Sequence, residues 1–210
     1  MTEIRTAVAI ITRTIATYNA VAPDYAAAWH DRSVLAAQFA RFVELVRPGG
    51  WVLDVGCGPG FDTAVLRQHG LRAVGIDLSQ NMLAVGQKYH HLTGCFVQAD
   101  MRFLPFRANI DGIWACASFL HIPRPQALPT MRQFARLLAP GGVIYLSVKE
   151  GKRSRWTQKT YGHSLPRYYT YWQAESLDDL LQTAGLLPIE GWLETIGRTR
   201  WLVRFAQKQA

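Results

Sequence analysis

Cysteine is scarce in this chain of 210 residues, three in all, and that excludes a fold stapled by disulfides. Cys57, Cys95 and Cys116 are odd in number, widely spaced and set in apolar runs, so reduced thiols in a cytoplasmic protein are the expectation. Long hydrophobic runs are missing too. The apolar stretch 7–11 is bracketed by Arg5 and Arg13 and followed by threonines, unlike the continuous core of a signal peptide. Nothing approaches the roughly 18 apolar residues of a spanning helix, so no membrane span is expected. Metal-ligand spacing is absent as well: His90 and His91 are adjacent, not four apart on one helix face, and no metal is expected.

Acidic residues are in the minority, 15 Asp and Glu against 23 Lys and Arg, for a formal net charge of +8. The excess lies in the second half, where residues 106–210 carry fourteen basic against seven acidic residues and residues 1–105 carry nine against eight. Lys149, Lys152, Arg153, Arg155, Lys159 and Arg167 are opposed locally only by Glu150. Such a cluster attracts an anionic substrate or a phosphate backbone, or is a solvated loop.

Hydrophobic residues make up 49% of the chain and charged residues 18%, the balance of a globular protein. The length fits one domain. Five short apolar runs, at 51–55, 73–77, 94–98, 112–116 and 143–149, alternate with helical segments at 61–69, 79–89 and 125–138. That alternation specifies a doubly wound α/β sheet, mostly parallel. Ser79 is placed to cap the second helix, and Pro140-Gly141-Gly142 to end the third. Residues 1–48 have helical spacing, with Val34, Ala37, Phe39, Phe42, Val43 and Val46 predicting one or two helices packed over the sheet edge as a cap. Residues 49–150 form the core. In 151–210, the basic, aromatic stretch 150–172 precedes a helix near 175–184, a turn at Gly185 and strand-like runs at 187–193 and 200–205, which bring the sheet to seven strands.

Asp54-Val55-Gly56-Cys57-Gly58-Pro59-Gly60 follows the first strand. Alternating glycines let the backbone turn sharply and touch a bound molecule at the carboxyl edge of the sheet. A dinucleotide fingerprint needs a third glycine where Phe61 stands, which weighs against a nicotinamide cofactor.

This run resembles motif I of the class I S-adenosylmethionine (SAM)-dependent methyltransferases. Further elements follow in order: Asp77 at the end of the second strand, Gln98-Ala99-Asp100-Met101 after the third, residues 111–121 around the fourth, and Leu137-Leu138-Ala139-Pro140-Gly141-Gly142 before the fifth. The pair at 180–186 fits the family's last helix before an antiparallel hairpin. The resemblance implies SAM as cofactor, with Gly56 and Gly58 against its methionine part, Cys57 and Gly60 of the same loop also binding it, and Asp54 orienting that loop or the cofactor's amino group. Asp77 would accept from both ribose hydroxyls, a role its strand-end position also favours. Leu78 and Met82 would wall the adenine, although Met82 also suits plain helix packing. Asp100 and Met101 would complete the adenine site, while Ala117 and Phe119 line the approach to the methyl group.

Methyl transfer from a sulfonium needs alignment more than covalent chemistry, and a base only if the nucleophile must lose a proton. His121 is the candidate base, with a capping or surface histidine as its alternative. Among Tyr18, Tyr25 and Trp29 of the cap, Tyr25 is the candidate to close the site, against the alternative of helix-face packing. Tyr168-Tyr169-Thr170-Tyr171-Trp172 beside the basic run suits an aromatic or anionic small molecule, stacking on bases, or a buried hairpin edge. A small-molecule methyltransferase is the first reading. The sequence Ala117-Ser118-Phe119 is not the Asn/Asp-Pro-Pro-aromatic tetrapeptide of exocyclic-amine methyltransferases. A tRNA-modifying enzyme and a non-catalytic SAM-binding partner or sensor are the alternatives.

Overall fold

The computed structural model of the chain describes residues 2–90, 94–107 and 109–209. His91 and the side chain of His90 lie outside that description. Five strands are parallel: β1 (Trp51–Val55), β2 (Arg72–Asp77), β3 (Phe96–Gln98), β4 (Ile110–Cys116) and β5 (Leu138–Lys149). Two short strands, β6 (Arg155–Trp156) and β7 (Tyr168–Tyr169), pair only with each other. The hairpin β8 (Leu186–Ile196) and β9 (Thr199–Lys208) joins the main sheet antiparallel to β5. The seven-stranded order β3-β2-β1-β4-β5-β9-β8 reverses direction between β1 and β4, and open α/β sheets bind ligands at the carboxyl end of such a switch point.

Strand periodicity explains the two-faced burial. Leu53, Val55, Ile113, Ala115, Ile144, Leu146 and Val148 point to one face, where helices α6 (Arg124–Leu137) and α7 (Ala174–Thr183) supply Met131, Phe134, Leu177 and Leu181. Val52, Trp114, Val143 and Tyr145 point to the other. There the Trp114 ring stacks between Phe39 at 4.6 Å and Tyr145 at 3.8 Å, contacts worth about 1 kcal/mol each beyond the buried area. Between the strands run α4 (Phe61–Gln68) and α5 (Gln80–His90).

The N-terminal region differs from the expected one or two edge helices. It holds α1 (Thr2–Ala20), α2 (Ala22–Trp29) and α3 (Ala36–Leu45), with a 3-10 turn at Ser33–Leu35. α3 covers the centre of the sheet, because Phe39 and Phe42 reach Trp114 of β4. Val34 and Ala37 face solvent, and Leu35 takes the buried place instead. α6 also stops before the proline–glycine turn: Leu138 is already extended and pairs with Ile110. Gly141, at φ +75°, falls within β5 where the register against β4 shifts.

Candidate functional site

A cleft opens at the carboxyl ends of β1, β2 and β4, with about 730 Å³ of space between atoms. The loop after β1 forms its floor. Gly56 sits at φ +73°, and a Cβ there would stand 2.4 Å from Ser118 Cβ, so only glycine lets the β1 and β4 loops meet. The loop is tied down from the side by Asp77, whose Oδ2 accepts from the Gly58 N–H at 2.8 Å and Oδ1 from the Ser79 N–H at 2.7 Å. Burial raises the Asp77 pKa, and these backbone donors oppose the shift.

Gly56, Gly58, Asp77, Leu78, Met82, Asp100, Met101, Ala117, Tyr25 and His121 all line this cleft. The Asp100 carboxylate is shared with Arg102, whose Nη2 lies 2.6 Å away. Four expected residues stand elsewhere. Asp54 points to the opposite side of β1 from Leu53 and Val55; it is 2% exposed and accepts the Thr63 hydroxyl at 2.6 Å. Burial and the neighbouring Asp62 carboxylate push its pKa well up; its bond to Thr63 ties β1 to α4, and it is not among the residues that line the cleft. Gly60 opens α4 in the left-handed region at φ +77°, and the Phe96 ring occupies the space that a Cβ there would need. Phe119 is fully buried against Phe134 and Trp172, because the chain enters a 3-10 turn at Phe119–His121 that swings the ring into the core. Cys57 lies on the other side of its loop, in a second cavity.

That second cavity, with about 1130 Å³ of space, adjoins the cleft, and the two share Tyr18, Tyr25, Gly56, Cys116, Ala117 and His121. Its far walls are Arg32, Lys149, Tyr161, Arg167, Tyr169 and Trp201. The basic run thus divides: Lys152, Arg153, Arg155 and Lys159 face solvent, while Lys149 and Arg167 line the chamber. At the back, Asp62 joins Arg32 at 2.5 Å and the Trp114 indole N–H at 2.8 Å.

His121 stands where the two spaces meet. Its Nδ1 lies 2.7 Å from the Tyr168 carbonyl, which can only accept, so Nδ1 carries the proton and Nε2 accepts the Tyr18 hydroxyl at 2.7 Å. Tyr18 in turn accepts from Arg167 at 3.2 Å. Burial lowers the His121 pKa to about 3, and its lone pair is already taken. His121, the candidate base, is in this structure the acceptor that holds the Tyr18 hydroxyl. Sequence reasoning passed over Tyr18 as a functional group and missed Ser118, whose buried Oγ has no partner among the described residues. The spacing of Tyr18 and Tyr25, seven apart on consecutive helices, was the one signal for the former.

Residues 52–142 match the methyltransferase domain family. The phosphoethanolamine N-methyltransferase of Triticum aestivum is 32% identical over 152 residues, covering 69% of this chain and 30% of that protein. The malonyl-[acyl-carrier protein] O-methyltransferase of Erwinia pyrifoliae is 31% identical over 158 residues, covering 71% and 56%. The chain therefore spans well under two thirds of the length of these curated relatives. Among solved structures, the 1,6-didemethyltoxoflavin-N1-methyltransferase of Burkholderia thailandensis superposes with a TM-score of 0.77 at 21% identity, covering 97% of this chain and 91% of that one. That structure contains 1,6-didemethyltoxoflavin and S-adenosylhomocysteine. With its glycine loop at the switch point and Asp77 at the end of β2, the chain carries a methyltransferase domain of the class I SAM-dependent family.

Proposed function

We propose that residues 1–210 act as one cytoplasmic catalytic unit that transfers a methyl group from SAM to a small-molecule acceptor. The observation that carries this reading is the adjacency of two cavities: a cleft lined by the glycine loop and Asp77 shares Gly56, Ala117, Tyr18 and His121 with a chamber beside it. An in-line displacement needs donor and nucleophile on opposite sides of one carbon, shielded from water, and two spaces that share a set of lining residues suit that arrangement.

The cleft fits an adenosyl sulfonium. Each Asp77 oxygen has spent one lone pair on a backbone N–H and keeps another for a ribose hydroxyl. The orphaned Ser118 Oγ beside Gly56 is a ready partner for the polar methionine end. Leu78, Met82 and Met101 offer apolar walls to a flat base. When bound, SAM supplies an electrophilic methyl group. Tyr25 and Tyr18 exclude water from the junction, and the Tyr18 hydroxyl, held by His121 and Arg167, orients an acceptor's nucleophilic atom.

Relatives named for phosphoethanolamine and the malonyl-acyl-carrier protein, and the neighbour holding didemethyltoxoflavin, support an acceptor other than nucleic acid. Exposed Lys152, Arg153, Arg155 and Lys159 favour a second reading, tRNA as substrate. The test is production of S-adenosylhomocysteine from SAM and a fractionated cell extract. Methyl acceptance confined to low-molecular-weight fractions supports the first reading. Acceptance by RNA, steeply salt-dependent, supports the second, and no turnover with any fraction by a SAM-binding protein would leave a sensor.

A further inference from the structure

Taking the chamber as the acceptor site, and so resting on the methyl-transfer reading, we infer that the acceptor is an aromatic molecule bearing an oxyanion, carboxylate or phosphate, held between Lys149 and Arg167. The Lys149 ammonium lies 3.9 Å from the Tyr169 ring centroid and 5.6 Å from that of Trp201. The Arg167 guanidinium lies 5.4 Å from the same Tyr169 ring, and within 5.4 Å of those of Tyr18 and Tyr161. Neither cation has a carboxylate partner among the described residues.

Two cations gathered on one ring repel each other, and ring faces stabilise them only in part, by about 0.5–2 kcal/mol each. The chamber's own carboxylates do not relieve them. Asp62 is engaged by Arg32 and Trp114, and Glu194 accepts from Gln38 at 2.9 Å and from Trp192 at 3.3 Å. Burial and the nearby Arg167 and Arg155 lower the Lys149 pKa to about 8, as expected of an ammonium waiting for a counter-ion.

The surrounding groups define the rest of the ligand. Tyr25, Tyr161, Tyr169 and Trp201 present rings to the chamber, walls suited to a planar acceptor. Arg167 is oriented by Thr160 Oγ1 at 3.1 Å and Tyr18 at 3.2 Å, which presets its fork for an oxyanion. An anion on Arg167 sits next to Tyr18, a residue that the chamber shares with the donor cleft. A polymer would meet the solvent-facing basic residues of 152–159 before these two.

The experiment is calorimetry on the full chain, with and without saturating S-adenosylhomocysteine. The probes are 4-hydroxybenzoate, phenyl phosphate and the neutral 4-hydroxybenzamide. At least one anion is expected to saturate about tenfold more tightly than the amide, and which one does separates carboxylate from phosphate. Lys149→Met and Arg167→Gln should each weaken the anion about tenfold, Lys149→Arg should retain it, and Lys149→Met should bind S-adenosylhomocysteine within about twofold of the parent. Equal affinity for amide and anions, anion binding unchanged in both variants, or no saturation by either anion at about 10 mM, a limit of very weak binding, overturns the inference. Failure of S-adenosylhomocysteine to bind sinks the methyl-transfer reading separately, since the cofactor-free titrations still judge the Lys149–Arg167 pair.

Discussion

The cleft above the glycine loop depends at its floor on backbone placement, whereas the chamber beside it is defined by side chains from distant segments. In the cleft, Gly56 gives the β1 loop its close approach and Asp77 is positioned by two amide groups of its own neighbourhood. In the chamber, Tyr18 comes from α1, Lys149 from the end of β5, Arg167 and Tyr169 from the segment around β7, and Trp201 from β9. A backbone site tolerates little change at its few special positions. A side-chain site can be altered without disturbing the fold, which suits variation in what it binds.

The largest effect should come from breaking the backbone half. Gly56→Val forces a side chain into the left-handed region and against Ser118; donor affinity should fall more than about 100-fold, given strain of at least ~1–2 kcal/mol before the clash is counted. Equilibrium dialysis with labelled SAM measures this, with near-UV circular dichroism to confirm the fold. Asp77→Ala frees two amides and removes two acceptors, so S-adenosylhomocysteine should bind roughly 10- to 100-fold more weakly. An unchanged dissociation constant in that variant would detach Asp77 from the donor.

Changes on the chamber side should spare donor binding. Tyr18→Phe deletes the hydroxyl shared by His121 and Arg167, and the expected result is turnover reduced about tenfold with donor affinity nearly intact. Equal losses in both would erase the distinction between the two spaces.

The smallest effect concerns stability at the junction. The folded pKa of His121, about 3, lies below that of an unfolded histidine, so between those values the unfolded chain binds the extra proton. Stability is therefore fully present above roughly pH 6.5 and declines as the pH falls from there toward 3, by about 1 kcal/mol per unit. His121→Gln should flatten the dependence of Tm on pH between 5 and 6.5 relative to the parent; parallel curves would show that His121 does not carry this linkage.

The same contrast explains what could be read from the chain itself. Gly56, Gly58, Asp77, Leu78, Asp100 and Met101 could be placed beside the cleft because each ends a strand or lies within three residues of its end, and strand ends converge at a switch point. Asp54 and Phe119 were misplaced for want of one-residue detail: alternation along β1 turns the first away, and the 3-10 turn after β4 rotates the second inward. The doubly wound, mostly parallel sheet follows from the alternation of elements, but the position of α3 over the sheet centre does not, since it depends on the fit of Phe39 and Phe42 to Trp114. The chamber was legible only as a basic, aromatic stretch. Which cations turn inward is decided by contacts between segments more than a hundred residues apart, such as Arg167 with Tyr18.

Isothermal titration of the intact chain with S-adenosylhomocysteine tests the central claim most directly. Saturable binding at one site per chain, weakened in Asp77→Ala and preserved in Lys149→Met, is the predicted result. A folded parent protein that gives no saturable signal with either S-adenosylhomocysteine or SAM would contradict it.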